Sequence, residues 1–357
     1  MTNHIELTSY RLLGRSGLRV SPFALGTMTF GKDWGWGAEE SEARRIFDTY
    51  VDRGGNFIDT ANAYTNGSSE RLVGKFAEGN RDGLVIATKY TMASRPGDPN
   101  SGGNHRKSMV RSVEESLGRL NTDYIDLLYL HLWDARTPIE EILRAMDDLV
   151  RSGKVLYVGV SDTPAWQVAR MQAIADLRGW SPFIALQSEY SLVERTPERD
   201  LIPMAKEMGM GVIPWSPLAN GVLTGKYNRD DLKPGNASSL QGSRRDVAQG
   251  HGSLSERNLE IAERVKAVAV ESGKSPAQIA LAWTLLSPAV TATLLGARTV
   301  KQLEDNLGAL SVSLSDSQRE GLDNVSAIAL GFPHDLLLRP MSVQAVTGGT
   351  ELPARNW

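Results

Sequence analysis

Asp59, Tyr64, Lys89 and His131 are titratable residues that stand at equivalent places along the chain. Asp59 closes the apolar run Phe57–Asp59, and Tyr64 follows in the next loop. Lys89 closes Ile86-Ala87-Thr88-Lys89, and His131 closes Leu128-Tyr129-Leu130-His131. The set suits carbonyl reduction. Hydride addition to a carbonyl carbon builds negative charge on oxygen, which a proton donor at hydrogen-bond distance must neutralise. A tyrosine hydroxyl, with an ordinary pKa of about 10, becomes a better acid beside an ammonium that stabilises its phenolate. Lys89 would be that ammonium, Asp59 would hold it protonated, and His131 would orient the carbonyl oxygen. Each residue alone has a plainer reading: a turn cap, a loop aromatic, a solvated strand end, a structural histidine. Their joint placement is what points to chemistry.

The four converge only if their strand ends meet. Short apolar, β-rich runs recur at Phe23–Leu25, Phe57–Asp59, Leu84–Thr88, Ile125–Leu130, Val155–Val160, Ile184–Gln187, Val212–Trp215 and Thr291–Leu295. Segments with helical periodicity lie between them, among them Ser41–Arg53, Lys107–Leu120, Ile139–Arg151 and Pro164–Leu177. Continuous apolar strands joined by crossover helices predict a parallel sheet, and the βα repeat predicts closure into an α/β fold, a (β/α)8 TIM barrel. Catalysts of such barrels sit on the rim formed by the strands' carboxyl ends. Tyr10–Leu13 and Leu18–Val20 flank Gly14-Arg15-Ser16-Gly17, which predicts an N-terminal β-hairpin plugging the underside. Ser275 suits an N-cap and Pro276 the first helical position after it. Two stretches break the rhythm, Ala219–Leu254 and Leu330–Trp357, and read as lid or specificity segments, with disorder an option for the last residues.

A chain of 357 residues fits one barrel domain spanning 1–357, with the core barrel at about 10–325 and a C-terminal extension at 326–357. A net charge of −3 with interspersed signs offers no cationic surface for phosphate backbones, so no nucleic-acid partner is expected. The lack of cysteine excludes disulfides, thiolate metal sites and a cysteine nucleophile. No signal-like stretch opens the chain and no apolar run reaches bilayer length, which predicts a cytoplasmic protein without a membrane partner. The histidines at positions 4, 105, 131, 251 and 334 show no HxH or HExxH spacing, so a barrel metallohydrolase using Asp59 and His131 ranks low and no metal is expected.

The ordered motifs resemble the aldo-keto reductase family from the hairpin through about Asn306. Phe57-Ile58-Asp59-Thr60-Ala61-Asn62-Ala63-Tyr64 looks like that family's aspartate-tyrosine signature, and Gly26-Thr27-Met28 its first barrel loop. Asp59, Tyr64, Lys89 and His131 match its tetrad. Gly159-Val160-Ser161, Leu186-Gln187-Ser188-Glu189-Tyr190, Pro214-Trp215-Ser216-Pro217-Leu218 and Leu295-Gly296-Ala297-Arg298 extend the likeness.

The resemblance implies NADP(H), bound extended on the rim rather than on a GxGxxG turn, which the sequence lacks. It implies that Gly26, Thr27, Met28 and Asp59 adjoin the cofactor, and that Ser161 and Gln187 meet the nicotinamide carboxamide. Trp215, Ser216, Pro217 and Leu218 would wall the ribose and pyrophosphate, followed by Gly221, Leu223 and Lys226, with Tyr190 or Trp215 stacked on the ring. Gly296, Arg298, Gln302, Asp305 and Asn306 match the adenosine side, where Arg298, with Lys301 nearby, suits a 2′-phosphate. Two positions depart from the pattern. Asp162 stands where many relatives carry asparagine, exchanging a donor for acceptor capacity, and Gln302 stands where some carry arginine. Phe30, Trp34, Trp36, Tyr90, Met92 and Trp133 fall in loops that would line an apolar pocket for a small carbonyl substrate, and Gly331-Phe332-Pro333-His334 would fold over the rim. The family also contains nucleotide-binding β subunits of ion channels with weak turnover, a competing reading that the intact tetrad disfavours.

Overall fold

The computed structural model describes residues 5–233 and 244–351. A hairpin of β1 (Arg11–Leu12) and β2 (Arg19–Val20) precedes the barrel, whose strands are β3 (Phe23–Gly26), β4 (Phe57–Asp59), β5 (Val85–Tyr90), β6 (Ile125–Leu130), β7 (Val155–Ser161), β8 (Phe183–Glu189), β9 (Gly211–Trp215) and β10 (Thr293–Gly296). All neighbours in this eight-stranded sheet pair in parallel, in the order β10-β3-β4-β5-β6-β7-β8-β9. Its two edges meet through a parallel bridge between Val212 and Val290 and a 2.9 Å bond from Thr291 N to Val212 O. The α/β barrel and its hairpin are as the sequence predicts.

Strands β5 and β6 are buried on both faces, which is why they read as unbroken apolar runs. Alternate residues divide between two clusters. Ala24, Phe57, Ala87, Leu127, Tyr129, Ala185 and Ile213 fill the barrel interior, while Leu25, Ile58, Ile86, Leu128 and Leu186 pack outward against helices. Leu13 and Val20 of the hairpin belong to the interior cluster and close its floor. At the hairpin turn Gly14 has φ 56°, and an added Cβ would lie 2.3 Å from Ile184 O, so only glycine seats the plug this deeply.

The outer layer follows the repeat: α1 (Glu40–Asp52), α2 (Ser68–Ala77), α3 (Arg106–Leu120), α4 (Ile139–Arg151), α5 (Ala165–Arg178), α6 (Leu201–Glu207), α7 (Arg244–Gly250), α8 (Glu256–Ser272), α9 (Pro276–Leu286) and α10 (Val300–Leu307). Ser275 caps α9 in a capping box with Gln278, Pro276 taking the first turn. The segment expected to break the rhythm at Ala219–Leu254 holds short helical turns and α7, with 234–243 outside the described residues. Beyond α11 (Asp316–Ser326), the C-terminal extension forms α12 (His334–Leu337) and α13 (Pro340–Thr347), and neither has a buried residue. Among the described residues no helix is long and apolar enough to cross a membrane.

Candidate active site

Strand register brings the four titratable residues to one end of the barrel. Asp59 pairs with Gly26 and Ala87, Lys89 with Tyr129 one strand further on, and His131 directly follows β6. Lys89 lies inside β5, with Tyr90 still in the strand, one residue beyond the predicted end. Tyr64 opens a tight turn over Tyr64–Gly67 in which Thr65 and Asn66 take φ of 44° and 55°. The Thr65 hydroxyl donates to Phe30 O at 2.8 Å and receives Ser69 N–H at 3.0 Å, holding this strained turn in place.

Lys89 is 0% exposed and its ammonium has three acceptors. It donates to Asp59 Oδ1 at 2.5 Å, Thr60 O at 2.8 Å and Tyr64 Oη at 3.3 Å. All its protons are thereby placed, which is what a buried ammonium requires. The second Asp59 oxygen accepts from Gln187 Nε2 at 2.8 Å, a bond across the barrel that sequence spacing gave no sign of. Burial pushes the Lys89 pKa down, but Asp59 foremost and Tyr64 next outweigh it, so the group sits above its ordinary value and stays charged.

Tyr64 corrects one expectation. Burial raises its hydroxyl pKa more than Lys89 lowers it, so the net direction is upward and the group is a protonated phenol at neutral pH. Lys89 offsets the cost of burying a phenolate without reversing it. The Tyr64 ring stands edge-on to His131 at 5.9 Å and to Trp34 at 6.4 Å between centroids. Burial, followed by the Lys89 charge, takes His131 down to a pKa of about 3, leaving a neutral imidazole whose Nδ1 has no hydrogen-bond partner among the described residues.

The rim continues over β7, β8 and β9. Ser161 pairs in register with Gln187 and so shares its inward face, and Ser161 Oγ is buried with no well-formed hydrogen bond, although it lies close enough to the Asp162 carboxylate to act on it. A buried hydroxyl at this point fits a ligand's polar group, as a nicotinamide carboxamide would supply. Asp162 follows with φ 37°, exposed, its Oδ1 receiving Trp215 Nε1 at 3.1 Å and its carbonyl receiving Trp133 N at 3.3 Å. Glu189, at the end of β8, is raised to about 7 by burial first and then by Glu194 and Asp162. After β9 the backbone of Ser216, Ala219, Asn220 and Gly221 takes positive φ, and a Cβ on Gly221 would meet Lys226 Nζ at 2.8 Å. Such a turn leaves backbone room for an extended ligand, with Trp215, Ser216, Leu218 and Gly221 partly open around it. On the far side Gly296 is exposed and Arg298 half-buried, while the Gln302 side chain receives Arg298 N at 2.9 Å.

Several predicted side chains point elsewhere. Phe30 and Tyr90 are 0% exposed and belong to the outer core, Phe30 packing on Phe76, so neither lines an open pocket. Thr27 is spent on Asp59 O and Ser69 Oγ, and Pro217 and Leu223 are buried, so these three side chains are not free for a ligand. Tyr190 is buried against Trp283 and donates to Glu198, which leaves Trp215 as the ring at the rim. Asp305 receives Ser275 and Gln278, and Asn306 is buried near Gly296 O; both serve the joint between α9 and α10. Met28 is half-buried at the mouth of the first loop. Trp34 packs on Tyr64 and, tilted by 53° at 5.8 Å, on Trp36, and Trp133 lines a cavity of about 660 Å³ with Leu132, Thr91 and His105. Among the described residues, no three His, Cys, Asp or Glu side chains gather to hold a metal ion.

The model of the aldo/keto reductase family matches residues 22–327. A norsolorinic acid reductase of Aspergillus flavus is 39% identical over 339 residues, covering 92% of this chain and 84% of its own. An NADP(+) aryl-alcohol dehydrogenase of Phanerodontia chrysosporium is 38% identical over 89% of this chain and 86% of its own. An uncharacterized oxidoreductase of Bacillus subtilis is 41% identical over 85% of this chain and 92% of its own. With the barrel, its plug and this match running through all eight strands that build the rim, the chain belongs to the aldo/keto reductase family.

Proposed function

We propose that this chain is an NADP(H)-dependent oxidoreductase that interconverts an aromatic aldehyde or ketone and its alcohol. The observation that carries the reading is the buried Lys89 ammonium, shared between Asp59 at 2.5 Å and Tyr64 at 3.3 Å. A nicotinamide dinucleotide supplies the hydride when bound. Ser161 would hold its carboxamide, Trp215 would flank its ring, and Arg298 would take the 2′-phosphate as a bidentate partner. Gln187 acts through Asp59, fixing the carboxylate that anchors Lys89.

Tyr64 and neutral His131 both face the position where a carbonyl oxygen would sit. His131 donates one hydrogen bond to that oxygen without carrying a charge of its own, as its pKa of about 3 requires. Tyr64 gives up its proton as negative charge develops, and Lys89 stabilises the phenolate that remains. In the oxidative direction the same phenolate receives the alcohol proton. Trp34 beside Tyr64, with Trp36 packed on it, favours an aromatic substrate, consistent with the name of the aryl-alcohol dehydrogenase relative. Relatives named as reductases and dehydrogenases give the ion-channel subunit reading no support. The test is NADPH consumption by the full chain over a panel of aromatic aldehydes, aliphatic aldehydes and sugars. Turnover fastest with the aromatic members is expected; none with any carbonyl would overturn the proposal.

A further inference from the structure

Asp162 occupies a position from which its charge reaches the reacting centre. Its field acts on both Lys89 and Tyr64. The side chain is tied to the end of β9 through Trp215 Nε1 at 3.1 Å, and its backbone to the loop after β6 through Trp133 N. A residue held at φ 37° between two loops cannot easily swing away, and this rare backbone region is tolerated best by aspartate, asparagine and glycine. Its neighbour Ser161 presents a buried hydroxyl on the inward face, with no well-formed hydrogen bond beyond its approach to the Asp162 carboxylate.

The charges near this point do not cancel. Lys89 and Asp59 form a closed pair. His131 is neutral. Asp162, Glu189 and Glu194 adjoin one another, and none is in an ion pair among the described residues. Even with Glu189 only partly ionised near neutrality, as a group raised to about 7 must be, a negative surplus carried mainly by Asp162 faces the place where the nicotinamide is proposed to lie. Loss of a hydride, one proton with two electrons, leaves a neutral dihydronicotinamide with a positive ring. The hydride goes to the carbonyl carbon and the Tyr64 proton to its oxygen.

We propose that Asp162, backed by Glu189, makes the rim hold the dinucleotide with an oxidised, cationic nicotinamide ring more tightly than the one with a reduced, neutral ring. The same field favours departure of the hydride, because the ring gains its charge in that step. Asparagine at this position would supply the Trp215 bond and a donor to the carboxamide without the charge, so the aspartate tunes redox preference rather than mere affinity. The inference rests on the proposed dinucleotide site.

Dissociation constants of NADP+ and NADPH, measured by titration calorimetry on the full chain, test it through their ratio. Glu189→Gln and Asp162→Asn are compared with the unaltered protein. In Asp162→Asn the Oδ1 acceptor for Trp215 is retained and any uniform gain from the new amide cancels in the ratio. The expected result is a shift of about threefold to tenfold toward NADPH in Asp162→Asn, with a smaller shift of the same sign in Glu189→Gln. An unmoved ratio in both variants overturns the inference while leaving the dinucleotide site standing. Failure of the unaltered protein to bind either form overturns the site itself, and the two results cannot be confused.

Discussion

Asp59 and Lys89 form an ion pair 2.5 Å apart with side-chain exposures of 2% and 0%, sealed from water beneath the rim. Each charge depends on the other. Replacing Asp59 by Ala strands an ammonium in the barrel, and a loss of about 3–5 kcal/mol in unfolding free energy is expected from denaturant titration. The double variant Asp59→Leu with Lys89→Met should regain most of that loss while remaining inactive. Equal instability of the single and double variants would show that the pair is not what fixes this part of the core.

Tyr64→Phe removes the hydroxyl and little else, because its ring contacts with Trp34 and His131 do not depend on oxygen. Turnover should fall by about 10²–10⁴-fold, while dinucleotide affinity measured by calorimetry holds within about twofold. Undiminished turnover would remove Tyr64 from the role of proton donor.

His131 gives a signed dependence on pH. Its folded pKa is about 3, against an ordinary value of about 6.5 for an unfolded chain. Between these values the unfolded state binds a proton that the folded state refuses. Stability from this group is therefore full above the upper value and falls as pH drops through the window, by about 1.4 kcal/mol per pH unit. His131→Gln should flatten that slope in denaturation curves taken across the window. In NMR spectra the His131 ring should show no titration near neutrality; a midpoint in the ordinary histidine range would contradict the burial argument.

Arg298→Ala should weaken NADP+ binding by about tenfold or more and leave NAD+ nearly unchanged, since only the former carries the 2′-phosphate. Equal losses for both dinucleotides would place Arg298 outside the phosphate contact.

Truncation after Leu330 removes α12 and α13. Because neither helix buries a residue and Phe332 and Val346 are each 85% exposed, the melting temperature should move by less than about 2 °C. A larger fall, read by calorimetry, would mean that the extension contributes to the barrel's stability.

The barrel was legible in the sequence because its strands are buried on both faces and its helices on one, two patterns that differ in period. Chain order also carried the tetrad, since Asp59, Lys89 and His131 mark successive strand ends. What escaped were the side-chain contacts between strand ends. Gln187 reaches Asp59 across 128 positions, Thr60 lends Lys89 a backbone carbonyl, and Asp162 binds the Trp215 indole. None leaves a local pattern, although polar Gln187 and Glu189 at the end of an otherwise apolar strand could have flagged the β8 rim. Phe30 and Tyr90 misled for the opposite reason: an aromatic near a strand end looks the same whether it turns toward the mouth or toward the helices. Tyr64 shows that knowing a neighbour's charge is insufficient without knowing how deeply both are buried.

The barrel's circumference is unevenly fastened. Seven neighbouring strand pairs have ladders, whereas β9 and β10 meet through one bridge at Val212 and Val290 with the Thr291 bond beside it. Trp215 lies at the end of one of these strands and Gly296 at the end of the other. An extended dinucleotide laid from the first to the second would act as a clasp over this join, so occupancy should slow amide exchange in both strands more than in β5 or β6. A dinucleotide bound there would reinforce the barrel's most lightly fastened join, and a protease would then cut at this seam more slowly in the loaded protein than in the unloaded one.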